Sequence, residues 1–470
     1  MQSVKKSLIV LFAWMLMAGV FLAGCGSESG GSGSGGSGGT VSETAEQNNA
    51  QGGSAGEETA ERGDIDWANV EAHIRFIWPG TSEIEKEVAE KFKAKMKEKY
   101  PKINIEFMYL SWQDMQQKLA VMINSNDWPD LTQTQDVTDL VRMNGLEDLT
   151  PYLERSEQFN RDSFLPGTLE YSTIDGKIYS IPTMGQVYTL MVNEQMLNEV
   201  GMTIDDLKTW EDMERAAGLM TKDGKYGFGY PMGVARFAWR VPYTAAYSND
   251  LLLSDTSDVA KGKYLELLQH FKNLQPYIPQ AGITWGYPEM FRAFSHGEVG
   301  MIAAGSYFNS NVYSINPDIM HVAKAITYPK GPSADAPKAP TSNVGYGMFA
   351  GSKNKEVAWK LIEEITSPEF NAEQSATIHF SAFKGAVVEN GRATMEKVYP
   401  KTVEDHIRLT KEYMEIADTT GVEMAKIKGQ PEMEVVFQEH IVNFLTDKAG
   451  LEETYEKIRR DIDKIKASLQ

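Results

Sequence analysis

The chain has 470 residues, 46 lysines and arginines against 65 acids, and a formal net charge of −19. It has no basic patch or arginine-rich run, which argues against nucleic acid as a partner. The acidic balance weakly disfavours a strongly anionic ligand unless local arginines override the global field, and a single cysteine leaves no internal disulfide to form.

The chain opens with Lys5 and Lys6, an apolar run from Leu8 to Leu22, and small residues at Ala23 and Gly24. A charged start, an apolar centre and small residues at the end describe a secretory signal. The apolar run is shorter than the ~20 residues a bilayer span requires. Leu22-Ala23-Gly24-Cys25 resembles the lipobox of bacterial lipoproteins. The resemblance implies removal of residues 1–24, acylation of Cys25 and anchoring on the extracellular face of the cell membrane, in a Gram-positive type of organism. A simple signal peptide with a stray cysteine, or an uncleaved anchor, is the plainer alternative. Loss of residues 1–24 takes away two lysines and no acids, leaving −21. Gly26 to Gly63 is mostly glycine, serine, threonine and glutamate, too poor in apolar surface to offset its ordering entropy. It reads as a flexible tether, with Cys25, over 25–63, spanning about 35 Å root-mean-square.

The remaining 407 residues exceed the ~250–300 at which one core stops growing, so two lobes are expected, and no later segment approaches a transmembrane length. His73 to Trp78 is a β-like run ended by Pro79-Gly80. Ser82 and Glu85 fit a capping box, and Ile84, Val88, Phe92 and Met96 give one buried helical face. Tyr100-Pro101 stops that helix, and Ile103 to Leu110 alternates as a second strand. Ser111 and Asp114 suggest another cap before a stripe of Trp112, Met115, Leu119 and Met122; Pro129 to Thr132 enters a third strand. Strand, helix, strand, helix, strand is the signature of a parallel α/β sheet.

Asp175-Gly176 is a hairpin signal leading to Lys177–Pro182, and Thr189 to Asn193 resumes strand character. Trp210 to Met220 reads as helix, Trp285 to Ser295 as an aromatic-rich helix, and Val299 to Ala304 as a short strand. Ala358 to Ile365 is amphipathic, and Leu451, Tyr455, Ile458, Ile462, Ile465 and Leu469 stripe a last helix.

Four segments, in order, resemble the extracellular solute-binding proteins of bacterial ABC importers, the group with maltose-type oligosaccharide receptors. They are Tyr100–Glu106 with Trp128–Leu131; Gly145–Leu153; Asp175–Pro182 with Val192–Glu194 and Thr209–Asp212; and Ala293–Met301 with Ser352–Trp359. The resemblance implies an α/β, two-lobed periplasmic-binding-protein-like fold of type II, with a hinge crossed several times and a ligand cleft between lobes. By that analogy lobe 1 comprises 64–188 and 298–345, and lobe 2 comprises 189–297 and 346–470. It implies a monomeric receptor that hands an oligosaccharide to ABC permease transmembrane subunits, with no cofactor and no metal. A surface carbohydrate-active enzyme and a receptor for a non-sugar solute stand as alternatives.

A sugar offers apolar C–H faces and a rim of hydroxyls, so its site wants aromatic platforms and planar polar side chains. Candidates near strand ends and loops are Trp78, Gln135, Asp136, Gln186 and Tyr188 after a turn at Pro182, Arg236 and Trp239 between helices, Trp285, Tyr307 and Tyr346. Glu83 joins them, although in a helix first turn it also complements the macrodipole. Trp112 fits a core stripe as well as a site, whereas Trp210 and Trp359 read as core. There is no His-Glu-x-x-His helix, no Gly-x-Ser-x-Gly elbow and no phosphate-binding Gly-x-x-x-x-Gly-Lys-Ser/Thr loop. Gly345-x-Gly347-x-x-Ala350 superficially matches a dinucleotide fingerprint, but no helix opens after it, and it reads as a turn or hinge.

Overall fold

A computed structural model describes residues 65–469 except 81, 82, 113, 166, 167 and 385. The signal, Cys25, the tether and Ser82 lie outside the described residues. The first half begins as its apolar periodicity dictates: β1 (Ala72–Pro79), α1 (Glu83–Lys99), β2 (Ile103–Leu110), α2 (Met115–Asn124) and β3 (Leu131–Thr134). Val88, Phe92 and Met96 of α1 are buried, and its ends carry acids first and lysines last, complementing the dipole. At the entry to α2 the Ser111 hydroxyl donates to the Asp114 carboxylate at 2.7 Å and accepts from its N–H at 3.1 Å. β1 pairs in parallel with β2 and β3.

The hairpin β4 (Thr173–Ile174) and β5 (Lys177–Ile178) turns at Asp175 and Gly176, both at positive φ as a two-residue turn demands. β6 (Ile181–Asn193) follows, buried along all thirteen residues. Pro182 therefore lies in a strand and makes no turn before Gln186. It pairs with Gly345 at a register shift, the kind of position that tolerates a missing N–H.

The rest of the chain forms α3 (Trp210–Met220), β7 (Tyr226–Gly229), α4 (Ala235–Tyr247), α5 (Lys261–Leu274), α6 (Tyr287–Ser295), β8 (Val299–Gly305), β9 (Ala323–Ile326) and β10 (Ala339–Met348). Then come α7 (Lys355–Ile365), α8 (Pro368–Ser375), β11 (Phe380–Ser381), α9 (Val403–Thr419), β12 (Gly421–Glu423), α10 (Gln430–Leu445) and α11 (Leu451–Ser468). The strands order as β2-β1-β3-β10-β6-β8-β7, with β9 and β11 on β6 and β12 on β10.

The long strand β6 belongs to two halves. Its first residues pair with β10, and from Tyr188 onward it pairs with β8 and β9. Separate cores flank these halves. One joins Ile74 and Phe76 of β1 to Phe92 of α1 and Leu361 of α7; another joins Leu190 of β6 to α3, α4, α5, α10 and α11. This pairing departs from the lobe limits implied by the resemblance. β8 was expected with β1–β3 but lies between β6 and β7, and α7 was expected with the C-terminal helices but packs on β1 and α1. The chain returns to the first half only at β10, so residues 298–345 are largely on the other side. Gly345 and Gly347 are strand residues, not a turn; a Cβ at Gly345 would lie 2.4 Å from the Ile181 carbonyl oxygen.

Candidate functional site

The carboxyl ends of β1, β2 and β3 open toward the middle of β6, where ligands bind in open α/β sheets. Gly80, Trp112 and Gln135 follow those three strands, and Gln186 and Tyr188 sit where β6 passes from one half to the other. Opposite them stand Arg236, Phe237 and Arg240 on α4, Tyr287 at the start of α6, and Tyr307 just after β8. Together they enclose a cleft of about 220 Å³.

Two kinds of surface line it. The aromatic side is a ladder: Phe237 stacks on Tyr287 at 3.7 Å and 10°, and Tyr287 stacks on Tyr307 at 5.7 Å. Tyr307 donates its hydroxyl to that of Tyr287 at 2.9 Å and meets Tyr188 edge-on. The polar side is a chain of planar groups. Arg236 Nη2 donates to Gln135 Oε1 at 2.7 Å, and the Gln135 amide donates to Gln186 and, at 3.2 Å, to the Tyr188 hydroxyl. Ser342 donates to Gln186 Oε1 at 3.1 Å. Beyond the Arg236–Gln135 bond a smaller void of about 50 Å³ continues past Asp136 and Asp139. Asp136 accepts the Thr138 N–H at 2.8 Å.

Burial sets the protonation of the groups behind this lining. The Tyr287 hydroxyl is pushed up to about 12, chiefly by burial, so it stays a neutral donor. His379, bonded through Nδ1 to Ser306 at 2.8 Å and edge-on to Tyr307, is pushed down to about 3 by burial and is neutral. Among the described residues no group of three or more His, Cys, Asp or Glu is placed to hold a metal ion.

The structure thus gathers Gln135, Gln186, Tyr188, Arg236 and Tyr307, with Asp136 in the adjoining void. It separates the others. Trp78 is 1% exposed and packs on Phe76, Phe107 and Tyr346, because β1 is covered on both faces. Tyr346 is fully buried in the same core, its hydroxyl held by Gln133 and Gln374. Trp239 is fully buried on α4 against Phe437, and Trp285 lies in the core around α6 with Phe291. Glu83 is exposed and pairs with Lys86 at 3.2 Å.

Phe237, Arg240, Asn311 and His379 line the cleft without having been singled out. For α4 a signal existed: Arg236, Arg240, Tyr243 and Tyr247 recur at helical spacing, although Pro242 interrupts the reading. The helix tolerates that proline. The Ala238 carbonyl, which Pro242 cannot bond, accepts the Tyr230 hydroxyl at 2.6 Å. A larger cavity of about 390 Å³ lies between α8, β11 and α9. Several of its polar groups bond within the protein: Asn371 donates to the Thr183 carbonyl and accepts from Ser381, and Ser375 donates to the Asn371 carbonyl. The cleft on β6 is the better candidate site because it sits at the strand ends and sets stacked aromatic rings against planar polar groups.

A mixed sheet whose two halves share crossing strands, with an aromatic and amide-lined cleft at the crossing, defines a two-lobed solute-binding protein. The chain belongs to the bacterial extracellular solute-binding proteins, whose family model matches residues 87–398. Membership places it outside the cytoplasm, extracellular or periplasmic. A putative binding protein of Brucella abortus is 25% identical over 281 residues, which is 58% of this chain and 66% of that relative. In fold it is similar to a chitin oligosaccharide binding protein, with TM-score 0.71, 17% identity and 84% of this chain on 99% of that one. It is likewise similar to an ABC substrate-binding protein of Listeria monocytogenes in complex with cycloalternan, with TM-score 0.69, 16% identity and 85% of this chain on 99% of that one.

Proposed function

We propose that this chain is the substrate-binding subunit of an ABC importer and that it holds an oligosaccharide in the cleft on β6. The observation that carries this reading is the Phe237–Tyr287–Tyr307 ladder facing the Gln135–Gln186–Arg236 chain. Rings of that kind suit the C–H face of a sugar, and planar amide and guanidinium groups suit paired hydroxyls. The fold neighbours described as oligosaccharide and cycloalternan binders support the same class.

The hinge in this reading is made of β6, β10 and β11, which pass side by side between the halves. One lobe then runs from the first described residues to about Val187 and from Ser342 through α8; the other takes β7–β9, α3–α6 and α9–α11. Closure about those strands would bury the ligand and present a new surface to permease subunits. Cys25 would carry the lipid that keeps the receptor at the membrane, and the receptor performs no chemistry on its cargo. The test pairs thermal shift with reducing-end release across a panel of oligosaccharides. A raised melting temperature without product is the expected result. Turnover would replace the receptor by an enzyme.

A further inference from the structure

Ten of the twelve arginines among the described residues hold a carboxylate within 4.0 Å. The two without one are Arg236 and Arg240, one turn apart on α4, and both border the cleft. Arg240 is only 5% exposed. Its guanidinium lies over the rings of Tyr188 at 4.6 Å and Tyr243 at 5.6 Å, and its one hydrogen bond is to Met424 Sδ at 3.7 Å. The rings hold the plane of the fork but accept none of its in-plane N–H donors. A desolvated cation without a carboxylate is destabilising, and in this acidic chain partners are abundant. Of the carboxylates near the cleft, Glu85 lines it beside Gly80, Asp136 accepts the Thr138 N–H, and Asp139 pairs with Arg142 at 3.3 Å. Glu434 accepts from Gln430 at 2.8 Å and reaches Arg240 only through its longer-range field; none of them bonds the Arg240 fork.

We infer that the solute is an acidic saccharide whose anionic group, a uronate carboxylate or a sulfate ester, pairs with Arg240, with Arg236 beside it. The inference rests on the cleft being a saccharide site and names the class of sugar. A site for neutral hydroxyls would leave the Arg240 fork without a hydrogen-bonded anion both free and bound. An acidic sugar supplies the missing partner and gains a forked, charge-assisted contact.

The experiment is calorimetric titration and thermal shift of the full chain with oligogalacturonides, sulfated galactose oligomers, neutral oligomers of equal length, and simple dicarboxylates. The inference expects an acidic oligomer to bind at least tenfold more tightly than its neutral counterpart, more weakly as salt rises from about 50 to about 500 mM. The arm that binds, uronate or sulfate, identifies the anion. Arg240→Met should abolish that preference while leaving the unliganded melting temperature equal or higher, since an unpaired buried cation is removed. A purely structural arginine would instead lower it. Arg240→Lys, which keeps charge but loses the fork, and the more exposed Arg236→Gln should each cost a smaller factor. Equal binding of neutral and acidic oligomers, or no binding of any acidic oligomer, overturns the inference while a neutral-sugar receptor stands. Binding of dicarboxylates alone sinks the saccharide reading itself.

Discussion

Replacing Trp239 by alanine separates a core tryptophan from a ligand platform. Its ring is fully buried, stacked at 6.2 Å on Tyr243 and edge-on at 5.3 Å to Phe437 of α10. A buried aromatic side chain of this kind removes about 150–250 Å² from water, and at ~25 cal/mol per Å² its loss costs about 4–6 kcal/mol. The indole N–H has no acceptor, and removing that unsatisfied donor returns about 1–3 kcal/mol. The net loss is about 1–5 kcal/mol, overlapping the range of large-to-small core changes. Trp239→Phe keeps most of the ring and drops the orphan donor, so it should stay within about 1.5 kcal/mol of the parent. Urea denaturation reads both variants, and titration of the folded protein reads ligand affinity. If Trp239→Ala left the denaturation midpoint in place and lost ligand binding, the core assignment would be refuted.

Burial also sets a pH dependence. His379 and His406 are pushed down to about 3 by burial, whereas the unfolded chain titrates them near 6.5. Between those values the unfolded state binds the extra protons, so stability is full above about pH 6.5 and falls as pH drops toward 3. The slope is about 1.4 kcal/mol per pH unit for each histidine, measurable as urea midpoints at pH 7.5 and 5.5; a flat response contradicts their neutral burial. Gly345→Ala places a Cβ 2.4 Å from the Ile181 carbonyl oxygen and must part β6 from β10. A loss of about 1–3 kcal/mol is expected by denaturation, and a neutral effect would mean the two strands separate there freely. Cys25→Ser should release the receptor from cell membranes in fractionation while the shed protein keeps its ligand affinity.

Much of the framework was legible because its signals are local. The stripe of Val88, Phe92 and Met96, the Ser111–Asp114 cap and the Asp175-Gly176 turn each need only a few neighbouring residues. Glutamines after β3 and within β6 were legible as site candidates because polar side chains at strand ends in an α/β sheet need a purpose. The tryptophans misled. Trp78 sits on a strand covered on both faces, where any large ring becomes core, and nothing in its neighbours in sequence reveals the second cover. Trp239 and Arg240 are adjacent on α4, yet the first faces the core and the second the cleft, a distinction of about 100° that only helical phase resolves. The limits of the two lobes depend on which half of β6 each later strand joins, a long-range pairing that local pattern does not encode.

The most direct measurement is a crystal structure of the protein with the tightest-binding oligosaccharide from the titration panel. The account predicts sugar density in the cleft, its hydroxyls against the Arg236–Gln135–Gln186 chain and a ring against Tyr287 or Tyr307. Density confined to the larger cavity beside α8, or to the surface, would contradict it.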